Sequence, residues 1–295
     1  MTETTPQAET TTQARTTPQA RTTPQAPSGS VVSEATAERS DIPRARRIVV
    51  KVGSSSISGD NVGQIEPLVD ALSQAYARGT EVVLVSSGAI STGFPFLGIA
   101  TRPEDLATQQ AAAATGQNVL MFRYQQSLER YRIVAAQILL TAGDLQNPTH
   151  RVNAQRAMDR LLALRVLPIV NENDTVATHE IRFGDNDRLA ALVARLLGAD
   201  VLVLLSDVDA LYTRPPEQPG AERIAEVPFG DDLAGVTFGS VGKAGVGTGG
   251  AGTKVAAARL AAEAGTAVLV TATSMVDRAL AGESIGTWFR AAPRV

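Results

Sequence analysis

Two of the three lysines in this chain stand where a site that transfers a phosphoryl group would need them. The chain has 27 basic residues, and arginine supplies all but Lys51, Lys243 and Lys254. Lys51 ends an apolar run, whereas Lys254 closes a glycine-rich loop and opens an alanine-rich segment. An ammonium at a strand end and another at a helix start can both hold a transferring phosphoryl group. Because arginine replaces lysine elsewhere, the retained compact ammonium favours a specific role over chance placement. We expect Lys243 to be an exposed loop residue.

Small hydroxyl, amide and carboxylate side chains directly follow an apolar segment or a turn at five places in the chain. These places are residues 51–56, 85–89, 171–175, 183–187 and 206–209. One such cluster is ordinarily a turn or a helix cap. Five clusters that meet at one edge of a sheet are hard to explain by capping alone, so we expect them to line a binding site.

Apolar runs rich in β-branched residues alternate with helical patterns from about residue 46 onward. The predicted strands are 47–52, 81–85, 133–139, 166–170, 201–205 and 267–270, and the predicted helices lie near 63–78, 104–130, 152–165, 186–197 and 252–264. Continuous apolar strands are typical of a parallel sheet that helices cover on both faces. The alternation predicts an α/β fold, a three-layer αβα sandwich with a mainly parallel central sheet, with a hairpin near 176–183 at its edge. Ligands of such folds bind at the carboxyl ends of the strands.

Composition excludes several classes of site and partner. Of the 295 residues, 44% are hydrophobic and 19% are charged, and no run of 18 apolar residues predicts a membrane span. The chain has no cysteine, which excludes disulfides, thiolate metal ligands and cysteine nucleophiles, and it has only two histidines. The formal net charge of −3 gives no reason to expect a nucleic acid partner. We expect a cytoplasmic protein.

Residues 1–43 are expected to form a disordered tail rich in Thr, Pro, Gln and Ala. The tail contains two overlapping repeats, at 14–20 and 20–26, and its first 30 residues include no valine, leucine, isoleucine or aromatic residue. Such a segment buries too little apolar surface to offset the conformational entropy that ordering would cost. It also lacks the apolar core of a signal peptide. The folded domain is therefore expected to span residues 44–295.

Three other site types fit the sequence poorly. Residues 245–250 have the glycine spacing of a dinucleotide fingerprint, yet no convincing strand precedes them. Residues 247–254 resemble a P-loop, but threonine precedes the lysine instead of following it, which misplaces the magnesium-binding hydroxyl. A serine hydrolase is disfavoured because Ser86-Ser87-Gly88 lacks the glycine that precedes the serine in a nucleophile elbow.

Six motifs together resemble the glutamate 5-kinases, a family of the amino acid kinase superfamily. In chain order they are Lys51-Val-Gly-Ser, Val85-Ser-Ser-Gly-Ala-Ile-Ser-Thr-Gly93, Asn171-Glu-Asn-Asp-Thr-Val-Ala-Thr178, Gly184-Asp-Asn-Asp-Arg-Leu189, Leu205-Ser-Asp-Val-Asp-Ala-Leu-Tyr212 and Gly247-Thr-Gly-Gly-Ala-Gly-Thr-Lys254. The resemblance extends from about residue 47 to residue 289. The Asn-Glu-Asn-Asp and Gly-Asp-Asn-Asp pair is specific to this subgroup, whereas the first-strand lysine and the glycine loop are shared more widely.

The resemblance implies ATP-dependent phosphorylation of the γ-carboxylate of L-glutamate, the first step of proline biosynthesis. Lys51, Lys254 and Asp187 are the implied catalytic residues, with Asp187 orienting the two lysines. The residues implied to bind glutamate are Ser87, Asp174, Asn186 and Asp185. The residues implied to bind ATP are Lys51, Ser206, Asp207, Thr248, Gly249, Gly250, Ala251, Gly252, Thr253 and Lys254. Mg²⁺ would arrive with the nucleotide, held largely by phosphates and water, so no protein metal ligand is expected.

Three departures from the family pattern leave alternatives open. Many members continue into a C-terminal PUA domain, which we do not expect here. This weakens two properties that the resemblance implies, a homo-oligomer and feedback inhibition by proline. Ala251 stands where methionine is usual, and residues 54–56 and 92–96 also differ from common family sequences. A related kinase acting on another small carboxylate, such as N-acetylglutamate, and a non-catalytic amino-acid sensor both remain alternatives. Glutamyl-phosphate reductase is a candidate partner.

Overall fold

A computed structural model describes residues 38–101, 103–177, 186–237 and 250–293. Most of the expected tail and of the expected hairpin at 176–183 lie outside these ranges. So do three candidate site residues, Asp185, Thr248 and Gly249, and also Lys243.

The described chain folds around an eight-stranded sheet with the order β3-β4-β2-β1-β5-β9-β10-β8. The strands are β1 (Arg47–Val52), β2 (Glu81–Ser86), β3 (Ala135–Leu140), β4 (Leu167–Glu172), β5 (Val201–Ser206), β6 (Leu211–Tyr212), β7 (Arg223–Ile224), β8 (Glu226–Val227), β9 (Ala267–Ala272) and β10 (Thr287–Phe289). The six long strands from β3 to β9 in this order pair in parallel, β10 runs antiparallel to β9, and β6 pairs with β7 in a separate hairpin. The predicted mainly parallel sheet is confirmed.

Eight α-helices flank this sheet in the described part of the chain. They are α1 (Ile65–Ala77), α2 (Ala89–Gly93), α3 (Leu106–Glu129), α4 (Ala142–Gln146), α5 (Pro148–Ala163), α6 (Asn186–Leu197), α7 (Ala251–Glu263) and α8 (Val276–Leu280). Apolar side chains of α1, α3 and α8 join one buried cluster. Those of α5, α6 and α7 join a second buried cluster on the other face of the sheet. The predicted three-layer αβα sandwich is therefore confirmed.

The central strands are apolar throughout because both of their faces are covered. In β5, Val203 and Leu205 pack into the first cluster while Leu202 and Leu204 pack into the second, and all four are fully buried. Each such side chain contributes roughly 1.5–3 kcal/mol of transfer free energy. β1 lies beside β5, and the chain leaves these two strands in opposite directions, from β1 to β2 on one side and from β5 toward β8 and β9 on the other. A crevice opens at the carboxyl edge of a parallel sheet at such a point, and ligands bind there.

The expected tail boundary at residue 43 is wrong for the last residues of that segment. Arg39–Arg44 form a 3-10 helix whose Ile42 side chain is fully buried in the first cluster. The backbone N–H of Glu38 donates to Asp41 at 3.0 Å, which closes a capping box. One apolar side chain and a cap order this short segment although it has no periodicity that a sequence pattern could reveal.

Candidate active site

Two buried lysines meet on one buried carboxylate at the carboxyl edge of the sheet. Lys51 Nζ lies 2.6 Å from Asp187 Oδ1, and Lys254 Nζ lies 3.2 Å from Asp187 Oδ2. The Asp187 side chain is fully buried, and the lysine side chains are 6% and 7% exposed. The structure therefore brings together all three residues expected to be catalytic.

Asp187 remains ionised because the two ammoniums outweigh its burial. Burial alone would raise the pKa of this carboxyl group, but the charges and hydrogen bonds of Lys51 and Lys254 hold that pKa at about 2. With two ammonium groups and one carboxylate, the cluster has a net charge of +1. A net positive, largely dry cluster suits a phosphoryl group that carries negative charge.

Local structure explains how three distant segments meet at this point. Side chains alternate along β1, so Lys51 lies on the same sheet face as Val49, which packs in the cluster of α6 and α7. Asp187 is the second residue of α6, and Lys254 lies in the first turn of α7. The first turns of both helices therefore reach the end of β1. Backbone N–H groups at the start of α7 add partial positive charge beside Lys254.

A second group of polar residues lies around Asn186, the first residue of α6. Its amide nitrogen is 2.8 Å from Ser87 Oγ, and it is 3.2 Å from both the Ser86 carbonyl oxygen and Asn171 Oδ1. Two residues expected to bind the amino acid, Ser87 and Asn186, are therefore in direct contact. Asn171 was not among the expected site residues, although it begins one of the motifs at a strand end.

Close packing of α2 against α3 holds the chain after Ser87 in place. A Cβ added to Gly93 would lie 2.0 Å from a carbonyl oxygen of α3, and one added to Gly116 would lie 1.9 Å from the Ala89 carbonyl oxygen. No side chain fits at either position. Gly88, at φ +91°, turns the chain from Ser87 into α2 in a conformation that favours glycine.

A cleft of about 300 Å³ lies beside this group. Its lining includes Asp174, Glu172, Gln117 and Ala89. Two carboxylates in one cleft suit a cationic group such as an ammonium. The structure thus places Asp174 at a cavity beside the polar group around Asn186, a position from which it could bind an amino acid.

The residues expected to contact the nucleotide lie after β5 and at the start of α7. Ser206 Oγ lies 3.0 Å from Asp207 Oδ1, and Asp207 is exposed. Thr273, which follows β9, has its hydroxyl 2.9 Å from Ser56 Oγ and 3.1 Å from the Ser206 carbonyl oxygen. These contacts tie the carboxyl ends of β5 and β9 to the segment after β1. Sequence reasoning missed the role of Thr273 because no motif contained it.

The end of the glycine-rich loop is described from Gly250 onward. Gly250 is the N-cap of α7, which contains Ala251, Gly252, Thr253 and Lys254. Thr253 Oγ1 lies 3.2 Å from Asp187 Oδ2 and 2.9 Å from the Gly250 carbonyl oxygen, so its hydroxyl contacts the lysine–aspartate cluster. Among the described residues, no heavy atom lies within 4 Å of a Cβ added to Gly252.

Two further observations concern metals and membranes. In residues 38–101, 103–177, 186–237 and 250–293, no group of three or more His, Cys, Asp or Glu side chains could hold a metal ion. No helix in the described part of the chain is long and apolar enough to cross a membrane.

Comparison with known proteins agrees with this geometry. The model of the amino acid kinase family matches residues 46–272. A carbamate kinase from Giardia lamblia bound to AMP-PNP has a similar fold, with a TM-score of 0.61 and 17% identity, over 85% of this chain and 100% of that one. Fold and site together define a phosphotransferase of the amino acid kinase class.

Two curated relatives narrow the class. The chain is 76% identical to glutamate 5-kinase of Clavibacter michiganensis subsp. michiganensis over 259 residues, which are 88% of this chain and 99% of the relative. It is 72% identical to glutamate 5-kinase of Leifsonia xyli subsp. xyli over 252 residues, 85% of this chain and 93% of the relative. The chain belongs to the amino acid kinase family and, within it, to the glutamate 5-kinases.

Proposed function

We propose that this protein phosphorylates the γ-carboxylate of L-glutamate with ATP, giving L-glutamyl 5-phosphate and ADP. This reaction is the first step of proline biosynthesis. The observation that carries the proposal is the pair of buried lysines on Asp187, because catalysis between two anions needs concentrated positive charge. Family membership supports the choice of substrate.

The chemistry requires charge neutralisation more than proton transfer. A γ-carboxylate has a pKa near 4.3, so at neutral pH it is already an ionised nucleophile and needs no general base. One of its oxygens forms a bond to the γ-phosphorus, and the bond from that phosphorus to the β,γ-bridging oxygen breaks as ADP leaves. Lys51 and Lys254 lower the repulsion between carboxylate and phosphate and stabilise the charge of the transition state. Asp187 holds both ammonium groups in position.

The amino acid is bound by the group around Asn186. Ser87 Oγ accepts from Asn186, which leaves the serine proton to donate to a substrate carboxylate. Asp174 pairs with the substrate ammonium from the neighbouring cleft. We also propose that Asp185 contacts glutamate, on the resemblance alone.

The nucleotide lies across the ends of β5 and α7. Ser206 and Asp207 contact it after β5, and residues 250–254 lie at its phosphates, with the first N–H groups of α7 as donors. Thr248 and Gly249 are assigned to the phosphates on the resemblance alone. The lysine pair supplies positive charge for the triphosphate. Mg²⁺ supplies further positive charge to the phosphates. Because Asp187 is already paired with two lysines, the expected ligands of Mg²⁺ are phosphates and water.

Three partner properties remain predictions. They are feedback inhibition by proline, assembly into a homo-oligomer and association with a glutamyl-phosphate reductase. A disordered tail at the N-terminus and a cytoplasmic location also remain predictions.

A substrate panel tests the proposal. The protein is incubated with ATP, Mg²⁺ and hydroxylamine, and with either L-glutamate or N-acetylglutamate. Hydroxylamine converts an acyl phosphate into a hydroxamate, which forms a coloured complex with ferric iron. We expect hydroxamate from L-glutamate and at least tenfold less from N-acetylglutamate, because acetylation removes the ammonium that Asp174 pairs with. Folded protein that yields no hydroxamate from glutamate would refute the proposal. A preference for the acetylated substrate would support the related-kinase alternative.

A further inference from the structure

Three side-chain amides form a continuous hydrogen-bonded chain behind the amino-acid site. The chain, which we call the amide relay, consists of Gln117 of α3, Asn171 of β4 and Asn186 of α6. Asn171 Nδ2 donates to Gln117 Oε1 at 2.8 Å, and Asn186 Nδ2 lies 3.2 Å from Asn171 Oδ1. The Gln117 and Asn171 residues are buried, at 8% and 1% exposure.

The backbone dictates the direction of every amide in the relay. The N–H of Glu172 donates to Asn171 at 2.8 Å, so the atom that it meets must be the oxygen Oδ1. The Ser86 carbonyl can only accept, so the Asn186 atom at 3.2 Å must be the nitrogen Nδ2. With Asn171 Oδ1 so placed, its Nδ2 must point at Gln117 and requires an oxygen there. A reversed Gln117 amide would put two donors against each other.

The relay leaves one donor and one acceptor without a hydrogen-bond partner among the described residues. These are Gln117 Nε2 and Asn186 Oδ1, both buried. An unsatisfied buried polar atom costs about 1–3 kcal/mol. Gln117 Oε1 accepts from Asn171, but its own Nε2 brings an unpaired donor into the interior, so packing alone does not explain this amide.

We propose that Gln117 is a positioning residue for amino-acid recognition, which acts through Asn171 to hold the Asn186 amide with its oxygen free to accept from the substrate. This inference rests on the proposed function. Of the three polar groups of glutamate at neutral pH, only the ammonium donates hydrogen bonds, because both carboxylates accept. Asn186 Oδ1 therefore selects the ammonium and complements Asp174, while the two N–H groups of Asn186 Nδ2 are shared among Ser86, Ser87 and Asn171.

The test compares L-glutamate with glutarate, which keeps both carboxylates and lacks the ammonium. Glutarate is followed as a slow substrate in the hydroxamate assay or as a competitive inhibitor against glutamate. In Gln117→Met, which keeps the length of the side chain and removes its amide, we expect affinity for glutamate to fall about tenfold. That is the loss expected for one hydrogen bond to a charged group. Affinity for glutarate and the KM for ATP should stay within about twofold of wild type.

A second glutamine of the same helix provides a matched control. Gln125 accepts from the Ala135 N–H at 3.0 Å and donates to the Ile133 carbonyl at 3.4 Å, so both ends of its amide serve the fold. We expect Gln125→Met to lower the melting temperature and to leave the preference for glutamate over glutarate unchanged. Gln117→Met should show the opposite pattern, a weaker preference with a nearly unchanged melting temperature, because it removes one unpaired donor, Gln117 Nε2, and leaves another, Asn171 Nδ2.

A double variant tests whether Gln117 acts through the relay. In an Asn186→Ala background the acceptor is gone, so adding Gln117→Met should change the preference for glutamate by less than about twofold. Equal losses for glutamate and glutarate, no loss for either, or a full additional loss in the double variant would overturn the inference. Those results would leave the proposed function standing, since wild-type protein would still yield hydroxamate. Inactive wild-type protein would overturn both.

Discussion

Replacing Asp187 by asparagine should abolish most of the activity while preserving nucleotide binding. The change keeps the side chain's shape and removes the charge that pairs with Lys51 at 2.6 Å and with Lys254 at 3.2 Å. Both ammonium groups then lose the carboxylate that holds them together. They repel each other and shift toward the phosphates. Nucleotide binding should stay the same or tighten, because the site gains one unit of positive charge.

Asp187→Asn should lower both kcat and stability. Misplacing a buried electrostatic group at a reacting centre costs about 3–4 kcal/mol, so we expect kcat to fall about 100- to 1000-fold. The lowering of the Asp187 pKa from 3.8 to about 2 corresponds to about 2 kcal/mol of stability at neutral pH. For a domain of this size that loss lowers the melting temperature by roughly 4–8 °C.

Steady-state hydroxamate kinetics with varied ATP measure the effect, with Asp200→Asn as the control. Asp200 is another buried aspartate, which accepts from the Arg46 and Arg47 N–H groups at 2.9 and 3.0 Å, at the opposite edge of the sheet. Its asparagine variant should lose stability and keep its kcat within about threefold. A wild-type kcat in Asp187→Asn, or a loss that appears only as a higher KM for ATP, would refute the role given to this carboxylate.

Three further predictions concern the same cluster and its support. Lys51→Arg and Lys254→Arg should each lower kcat at least about a hundredfold, because a planar guanidinium cannot replace a compact ammonium on Asp187, whereas Lys243→Arg should leave it unchanged. The pKa of Asp187 is lower in the folded than in the unfolded protein, so the ionised carboxylate stabilises the fold fully above about pH 5, and this contribution disappears as the pH falls toward 2. Urea unfolding at pH 5 and pH 3 should show this loss of stability in wild type and not in Asp187→Asn. Gly116→Ala should lower the melting temperature and raise the KM for glutamate, because its Cβ would lie 1.9 Å from a carbonyl oxygen of α2; unchanged values of both would contradict the packing argument.

The long strands were predictable because strands that are buried on both faces are composed almost entirely of apolar residues. All six long strands begin or end within two residues of their predicted bounds, since a strand buried on both faces has a continuous apolar sequence. The strands of two or three residues, β6 to β8 and β10, were missed because so few residues carry no periodicity. Helix α5 begins at Pro148 and not near 152, and Asn147 caps it by accepting from two N–H groups, a start signal that the apolar pattern outweighed.

The site was predictable where a residue's chemistry is local and unpredictable where it depends on tertiary contacts. Lys51 and Lys254 stood out by their rarity, and the structure places both on Asp187. Gln117 lies in the middle of α3 among alanines and other glutamines, where nothing in the sequence separates it from its neighbours. Its contact with Asn171 joins residues 54 positions apart, so only the folded chain reveals it.

The central claim is that a γ-carboxylate oxygen of glutamate attacks the γ-phosphorus of ATP at the lysine pair. Glutamate labelled with ¹⁸O in both γ-carboxylate oxygens tests this directly, in the presence of ATP, Mg²⁺ and hydroxylamine. Hydroxylamine attacks the acyl carbon of the product, so the bridging oxygen leaves with phosphate. We predict one ¹⁸O atom in each phosphate released with hydroxamate, and no such phosphate from Lys51→Met or Lys254→Met. Phosphate without the label, or labelled phosphate at wild-type rates from either variant, would contradict the account.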